Sequence, residues 1–445
     1  MSRIEDAIAA DEADRAFECL RTFDVIVLAV SGGPDSLALL YLAAEWIKRL
    51  RLVEPRVSVA TVDHGLRPEA REEAQTVARH AAMLDLPHSI LAWDGQKPAT
   101  GIPNAARTAR YALLDTHARG RADGKRVAVI TAHHQDDQAE TVFMRLARGG
   151  GVTALAAMPH SRALDVAADA PVQLVRPLLG FSKQRLIATL MARDVPWIED
   201  PTNTNVALER TRVRETLAAS GLTATALALT ARRMRDAADG LAYAESALEK
   251  TLQLAVDRGL YARFDRRTFD SAPVILRQMF LSGMIARFGG MTERPEHSEI
   301  DALARRFPGG TQWSATLGGV VVSAGSRYVR LWREPGRISA APVMLTPGEV
   351  LCWDGRFRVG FEGGADTAIN VAPLGRAAYE AMAAELDRRQ VLPAGVAYGL
   401  PAFYAGAKLL CVPLLGPVAG CAARKPDEFN ALRFLCDPIH QYPSD

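Results

Sequence analysis

The stretch 24-DVIVLAVSGGPDSLALLYL-42 sets two apolar runs on either side of a polar, glycine-rich elbow, Ser31-Gly32-Gly33-Pro34-Asp35-Ser36. The unbroken Val/Ile/Leu run before the elbow reads as a buried strand, and the Leu/Ala run behind Pro34 reads as a helix. Such a turn aims backbone N–H groups into one concavity, and the helix N-terminus adds partial positive charge. Gly32 and Gly33 allow positive φ and close approach of an anion. Ser31 and Ser36 offer hydroxyls, and Asp35 offers a carboxylate for Mg2+. A bland alternative is a turn whose glycines serve geometry alone. Two glycines between two serines and an aspartate, directly behind an apolar strand, favour a phosphate cradle. The spacing is not GxxxxGK[ST], so this is no Walker loop.

Outward from the elbow, short apolar runs alternate with amphipathic stretches to about residue 200. Strands are expected at 24–30, 57–63, 89–93, 126–132 and 172–178, with helices at 36–50, 69–86, 104–119 and 136–148. This is the pattern of an α/β fold: a doubly wound parallel sheet covered on both faces. Right-handed crossovers place the strand C-termini, with Ser31, Asp63 and Ala132, along one rim. Residues 206–290 are rich in Ala, Leu, Arg and Met, and no strand is expected before about 311; β-rich stretches follow at 311–335 and 351–361, and a helix at 376–390. The division expected is 1–205 catalytic, 206–335 mainly helical with a β-rich end, and 336–445 a small α+β domain.

A chain of 445 residues, 49% hydrophobic and 23% charged, has core material for two to four soluble domains. No apolar run is long enough to cross a bilayer, and the polar start MSRIEDAIAADEADRAFE has no secretory h-region, so a cytoplasmic location is expected. Five scattered cysteines without a CxxC pair argue against a disulfide framework or a zinc site. A net charge of +2 neither requires nor excludes a nucleic-acid partner.

Two more rim segments carry chemistry. In 61-TVDHGLRPEAREEA-74, Asp63 and His64 end the second strand. In 131-TAHHQDDQAETVFMRLARGGG-151, His133, His134, Asp136, Asp137 and Glu140 fall in the first turns of a helix. One or two acids there would only offset the helix dipole; three with two histidines exceed that need. The histidines lack HExxH spacing.

The elbow resembles the SGGxDS signature of the PP-loop pyrophosphatases, which cleave ATP between its α- and β-phosphates. SGGPDS, VDHGLR and AHHQDDQAET, in this order, resemble the tRNA(Ile)-lysidine synthetases, as do Ala106, Arg107, Arg110 and Tyr111 (ARxxRY) and the segment 199-EDPTNTNVALERTRVR-214. Pro103 stands where that family usually has Glu, and Thr211 where it commonly has Asn.

The resemblance implies an adenine nucleotide α-hydrolase-like fold and an ATP-dependent ligase. Such an enzyme joins free L-lysine to carbon 2 of the wobble cytidine of a tRNA(Ile) with a CAU anticodon, through an adenylated cytidine, and so shifts codon reading from AUG to AUA. It implies ATP on Ala29, Val30, Ser31, Gly32, Gly33, Pro34, Asp35, Ser36, Val62 and His133, with Mg2+ on Asp35 and Asp136. Asp35, Arg110, Asp137 and Glu140 are the expected catalytic residues, and Asp136, Asp137 and Glu140 would face the lysine. Arg107, Asn203, Arg210 and Arg214 would meet tRNA. Oligomeric state is left open, with a homodimer as one option.

Rival readings are another PP-loop tRNA-modifying enzyme or small-molecule ligase, and a non-enzymatic RNA-binding protein. The absence of cysteine between 31 and 214 counts against sulfur transfer, and the intact cradle and acids count against an idle binder.

Overall fold

The computed structural model describes residues 6–51, 54–65, 69–94, 97–98, 100–164, 172–198, 209–290, 295–307, 309–362, 368–383, 386, 392–415 and 433–438. The chain divides into two compact units, Met1–Gly240 and Leu241–Asp445.

The first unit runs α1 (Ala10–Phe17), β1 (Val25–Ala29), α2 (Pro34–Leu50), β2 (Arg56–Asp63), α3 (Ala70–Met83), β3 (His88–Ala92), α4 (Ile102–Arg119), β4 (Val127–Ile130), α5 (Gln135–Ala147), α6 (Val152–Leu155), β5 (Ser161–Ala163), β6 (Gln173–Val175), α7 (Lys183–Met191) and α8 (Glu209–Ser220), followed by α9 (Ala224–Thr251). Six strands form one sheet in the order β3-β2-β1-β4-β6-β5. All neighbours are parallel except β5, which pairs antiparallel with β6 at the edge. This is the doubly wound sheet expected, with an unforeseen reversed edge strand.

β1 is central, with Leu28 opposite both Val59 and Ile130. Ile26 and Leu28 enter one core with Leu37, Leu40 and Trp46 of α2 and Leu186 of α7. Val25 and Val27 enter the other with Leu114 and Ala118 of α4, Val129 and Leu174. Feeding two cores from alternate residues is why the strand reads as continuously apolar. Each such side chain contributes about 1.5–3 kcal/mol by leaving water. From β1 the chain moves to β2 and β3 on one side and resumes at β4 and β6 on the other. The crevice beyond the C-terminal ends of β1 and β4 is therefore the topological switch point, where ligands of open α/β sheets bind.

The second unit begins with β7 (Ala255–Asp257), β8 (Tyr261–Asp265), α10 (Arg266–Ser271), α11 (Val274–Gly289), α12 (His297–Arg305), β9 (Trp313–Leu317), β10 (Val320–Ala324) and β11 (Tyr328–Arg333). Its antiparallel sheet, β7-β8-β11-β10-β9, packs on a core containing Phe264, Phe269, Phe280 and Phe307. β7 and β8 correct the expectation of no strand before about 311. Residues 261–265 alternate in burial, with Ala262 and Phe264 inside and Arg263 out; five residues between long helical stretches gave too short a window for that period to stand out.

Beyond them lie β12 (Val343–Leu345), β13 (Val350–Trp353), β14 (Phe357–Glu362), β15 (Ile369–Pro373), α13 (Gly375–Met382), α14 (Ala394–Ala397), β16 (Pro401–Ala405), β17 (Lys408–Cys411) and β18 (Arg433–Pro438). They form sheets β12-β15-β16-β17 and β13-β14-β18 around a separate core that includes Phe357, Phe403 and Leu410. Among the described residues no helix is long and apolar enough to cross a membrane.

Candidate active site

The elbow behind β1 is held by its own polar groups. The Ser31 N–H donates to Ser36 Oγ (3.1 Å), Ser36 Oγ donates to the Gly33 carbonyl (3.0 Å), and the two serine hydroxyls lie 3.2 Å apart. Gly33 caps α2 with Pro34 in its first turn, so the first-turn N–H groups have no partner inside the helix and face the crevice. Gly32 has φ +91°, and a Cβ there would lie 2.9 Å from Ile198 Cδ1. The Ile198 N–H donates to the Gly32 carbonyl (3.1 Å), which fixes the elbow from behind. Of the adenine-side positions, Ala29 ends β1 and Val62 lies near the end of β2, both half-buried. Val30 is buried, and its N–H is already donated to the Ala60 carbonyl (3.0 Å).

Behind β4 the chain enters α5 with His134 as N-cap, whose N–H donates to Asp137 Oδ2 (3.0 Å). The His134 side chain is 3% exposed and sits among three carboxylates. Its Nε2 is 3.5 Å from both Asp35 Oδ2 and Asp137 Oδ2, and its Nδ1 is 3.5 Å from Asp136 Oδ2. Burial opposes a charge on this imidazole, but Asp136, Asp35 and Asp137 overcome it and raise its pKa to about 10. Asp136 also accepts the Lys183 N–H (2.8 Å), which ties the start of α5 to the start of α7. Burial works against the Asp136 anion, yet His134 and the Lys183 N–H hold its pKa below the usual carboxylate range.

Glu140, one turn along α5, is buried and pairs with Arg214 of α8, while its Oε2 is buried without a partner. Arg214 is also half-buried; burial opposes its charge, but Glu140 raises its pKa further.

His133 behaves oppositely to its neighbour. Burial foremost, with Arg176, Arg110 and Arg107 adding to it against Asp137, lowers its pKa to about 3. Its Nδ1 lies 2.8 Å from Thr131 Oγ1. Arg107 and Arg110 of α4, together with Arg162 of β5, surround the Tyr111 ring at 5.2, 5.6 and 5.4 Å from its centroid. Arg176, directly after β6, is buried and donates through Nη1 to the Pro159 carbonyl (2.8 Å).

The crevice thus joins Asp35, Asp136 and Asp137 around His134, with Glu140 on the same helix, and gathers Arg107, Arg110 and Arg176 beside His133, with Arg162 over Tyr111. Asn203 and the side chain of Arg210 lie outside the described residues. The grouping around His134 and the places of Arg162 and Arg176 were not foreseen. His134 was visible only as half of a His-His pair, and Arg176 only as a charge ending an apolar run.

A family model described as a PP-loop domain matches residues 6–220. The tRNA(Ile)-lysidine synthase of Bradyrhizobium sp. (strain BTAi1) is 42% identical over 361 residues, covering 77% of this chain and 97% of the relative. The enzyme of that name from Rhodopseudomonas palustris is 42% identical over 347 residues, covering 75% and 97%. That from Ruegeria pomeroyi is 35% identical over 405 residues, covering 89% and 90%.

Proposed function

The chain belongs to the tRNA(Ile)-lysidine synthase family, and from that premise we propose how its residues divide the work of ATP-dependent lysidine formation on tRNA(Ile). One observation carries the reading: a single buried imidazole, His134, lies 3.5 Å from both Asp35 of the phosphate elbow and Asp137 of α5. Phosphate handling and amine handling therefore meet at one point.

In the first step the wobble cytidine O2 attacks the ATP α-phosphorus, and the bond to the β-phosphate breaks with its electron pair leaving on pyrophosphate. The Ser31–Ser36 elbow receives the pyrophosphate through amides and hydroxyls fixed before the reaction, so no reorganisation is needed as charge develops. Ala29, Val30 and Val62 line the adenine side, and neutral His133 borders the nucleotide. Mg2+ suits Asp35, whose Oδ1 is buried without a partner. This ion keeps few protein ligands and takes the rest from phosphates and water; when bound it would neutralise charge on the leaving group. Asp136 is the second carboxylate within reach. Arg110 steadies charge at the α-phosphorus.

In the second step the lysine ε-amine attacks carbon 2, and the C2–O2 bond breaks with AMP leaving. A free ε-ammonium has a pKa of about 10.4 and must lose a proton before it attacks. Asp137 and Glu140 lie on one side of α5, where they attract the ammonium and accept that proton. Asp136 completes the negative wall, with His134 set between it, Asp35 and Asp137. Arg107 is assigned to tRNA, as are Asn203, Arg210 and the exposed part of Arg214, with free lysine and tRNA bearing a CAU anticodon as substrates. Residues 1–205 are assigned to catalysis, 206–335 to tRNA binding and 336–445 to tRNA recognition.

Incubation with ATP, tritiated lysine and unmodified tRNA(Ile) tests the whole reading. Label enters tRNA with one AMP and one pyrophosphate per lysine. Pyrophosphate release without label in tRNA would instead favour another PP-loop ligase.

A further inference from the structure

We propose that Arg176, with the Tyr111 hydroxyl and Arg162, forms a buried seat for the α-phosphoryl group as it passes from ATP to cytidine, which makes Arg176 a substrate-binding residue of the first step. The assignment rests on the two-step reading above and adds residues that reading does not use.

Arg176 is 2% exposed, and its Nε is buried without a partner. The Tyr111 hydroxyl is likewise buried without a partner. Among the described residues no ion pair joins Arg107, Arg162 or Arg176 to a carboxylate, although a buried guanidinium requires a counter-charge. Burial foremost, with Arg162 and Arg107 adding to it against the neighbouring Tyr111 hydroxyl, pushes the Arg176 pKa down. Arg107 and Arg162 lie over the Tyr111 ring, and with Arg176 beside it these guanidinium groups match a phosphoryl group, whose oxygens accept several N–H donors at once.

Position agrees with this chemistry. Val175 pairs with Ile130, which pairs with Leu28, so Arg176 leaves the sheet two strands from the elbow. That is about 10 Å at ordinary strand spacing, within reach of an arginine side chain directed at the phosphate next to those the elbow holds. Thr131 donates its N–H to the Val175 carbonyl (3.1 Å), which sets Arg176 level with the start of the His133 segment. A tRNA backbone phosphate has the same chemistry, but such deep burial favours the smaller nucleotide.

The test uses the full chain, tRNA(Ile) and the two diastereomers of ATP thiolated on the α-phosphate, with pyrophosphate release as readout. An oriented guanidinium distinguishes the two non-bridging oxygens, so the unaltered protein prefers one diastereomer by roughly tenfold or more. In Arg176→Lys the preference falls to about twofold and release slows about a hundredfold, while tRNA affinity is unchanged. Tyr111→Phe, which removes one oxygen and keeps the ring, weakens the preference partly and covers the case in which Arg176→Lys does not fold. The assignment is overturned if Arg176→Lys keeps the full preference, if the unaltered protein shows none, or if the variant loses tRNA affinity with its use of ATP intact. The last outcome would mark a backbone-phosphate site. No pyrophosphate release from the unaltered protein would remove the two-step reading itself, whereas a normal preference in both variants would remove the seat alone.

Discussion

His133 and His134 are adjacent in sequence and face opposite electrostatic worlds. His134 is surrounded by Asp35, Asp136 and Asp137 and is held as a cation; His133 is buried against Arg107, Arg110 and Arg176 and is held neutral. The peptide between them is a border between an acidic half of the crevice and a basic half. On the proposed reading, two tasks of opposite charge, gathering an ammonium and steadying the α-phosphate, would share one crevice with their counter-charges on either side of that peptide. A uniformly acidic crevice would repel ATP, and a uniformly basic one would repel lysine.

The largest expected effect comes from deleting the acid that acts on both histidines. Asp137→Ala is expected to lower lysine transfer by about 10²–10⁴-fold while leaving lysine-independent pyrophosphate release measurable. Loss of both half-reactions together would erase the division between the halves. Arg214→Ala is next. It strands buried Glu140 opposite no cation; because the guanidinium is 39% exposed, the full cost of breaking a buried pair is reduced to about 2 kcal/mol, read by urea unfolding. Gly32→Ala places a Cβ at φ +91° against Ile198. It should cost about 1–2 kcal/mol of stability and weaken ATP binding measured by calorimetry, with lysine affinity unaltered.

In the pH dependence the two halves have opposite signs. The pKa of His134 is raised to about 10, so between its ordinary value of about 6.5 and 10 the folded chain binds the extra proton. Its stabilising contribution is full below pH 6.5 and is lost as pH rises toward 10. For His133, lowered to about 3, the unfolded chain binds the extra proton between 3 and 6.5, so its contribution grows as pH rises through that window. Unfolding midpoints of His134→Gln and His133→Gln against pH should therefore depart from the parent curve in different windows. A shared departure near pH 6.5 would mean that neither ring is shifted.

Much of this was legible in the chain. β1 and its elbow announced themselves because an unbroken apolar run needs burial on both faces, and because Gly32 and Gly33 break it at the point where α2 begins. The acids of α5 were visible through their spacing. What could not be read was pairing across the sheet. Nothing near Glu140 in sequence signals Arg214, 74 positions away. Arg162 and Arg176 meet only because β5 reverses against β6, and a three-residue strand carries too little pattern to reveal its direction. β8 was hidden for the same reason, since its partner β11 lies some seventy residues further on, and β7 is a three-residue strand paired only with β8.

The most direct test withholds lysine. Given α-labelled ATP and tRNA(Ile), the protein should place label on the tRNA as the adenylated cytidine and release pyrophosphate, and adding lysine should discharge the label as AMP; Asp137→Ala should retain it. If no label reaches tRNA until lysine is present, or if Asp137→Ala discharges it as fast as the parent, the two halves of the crevice do not perform two separate steps.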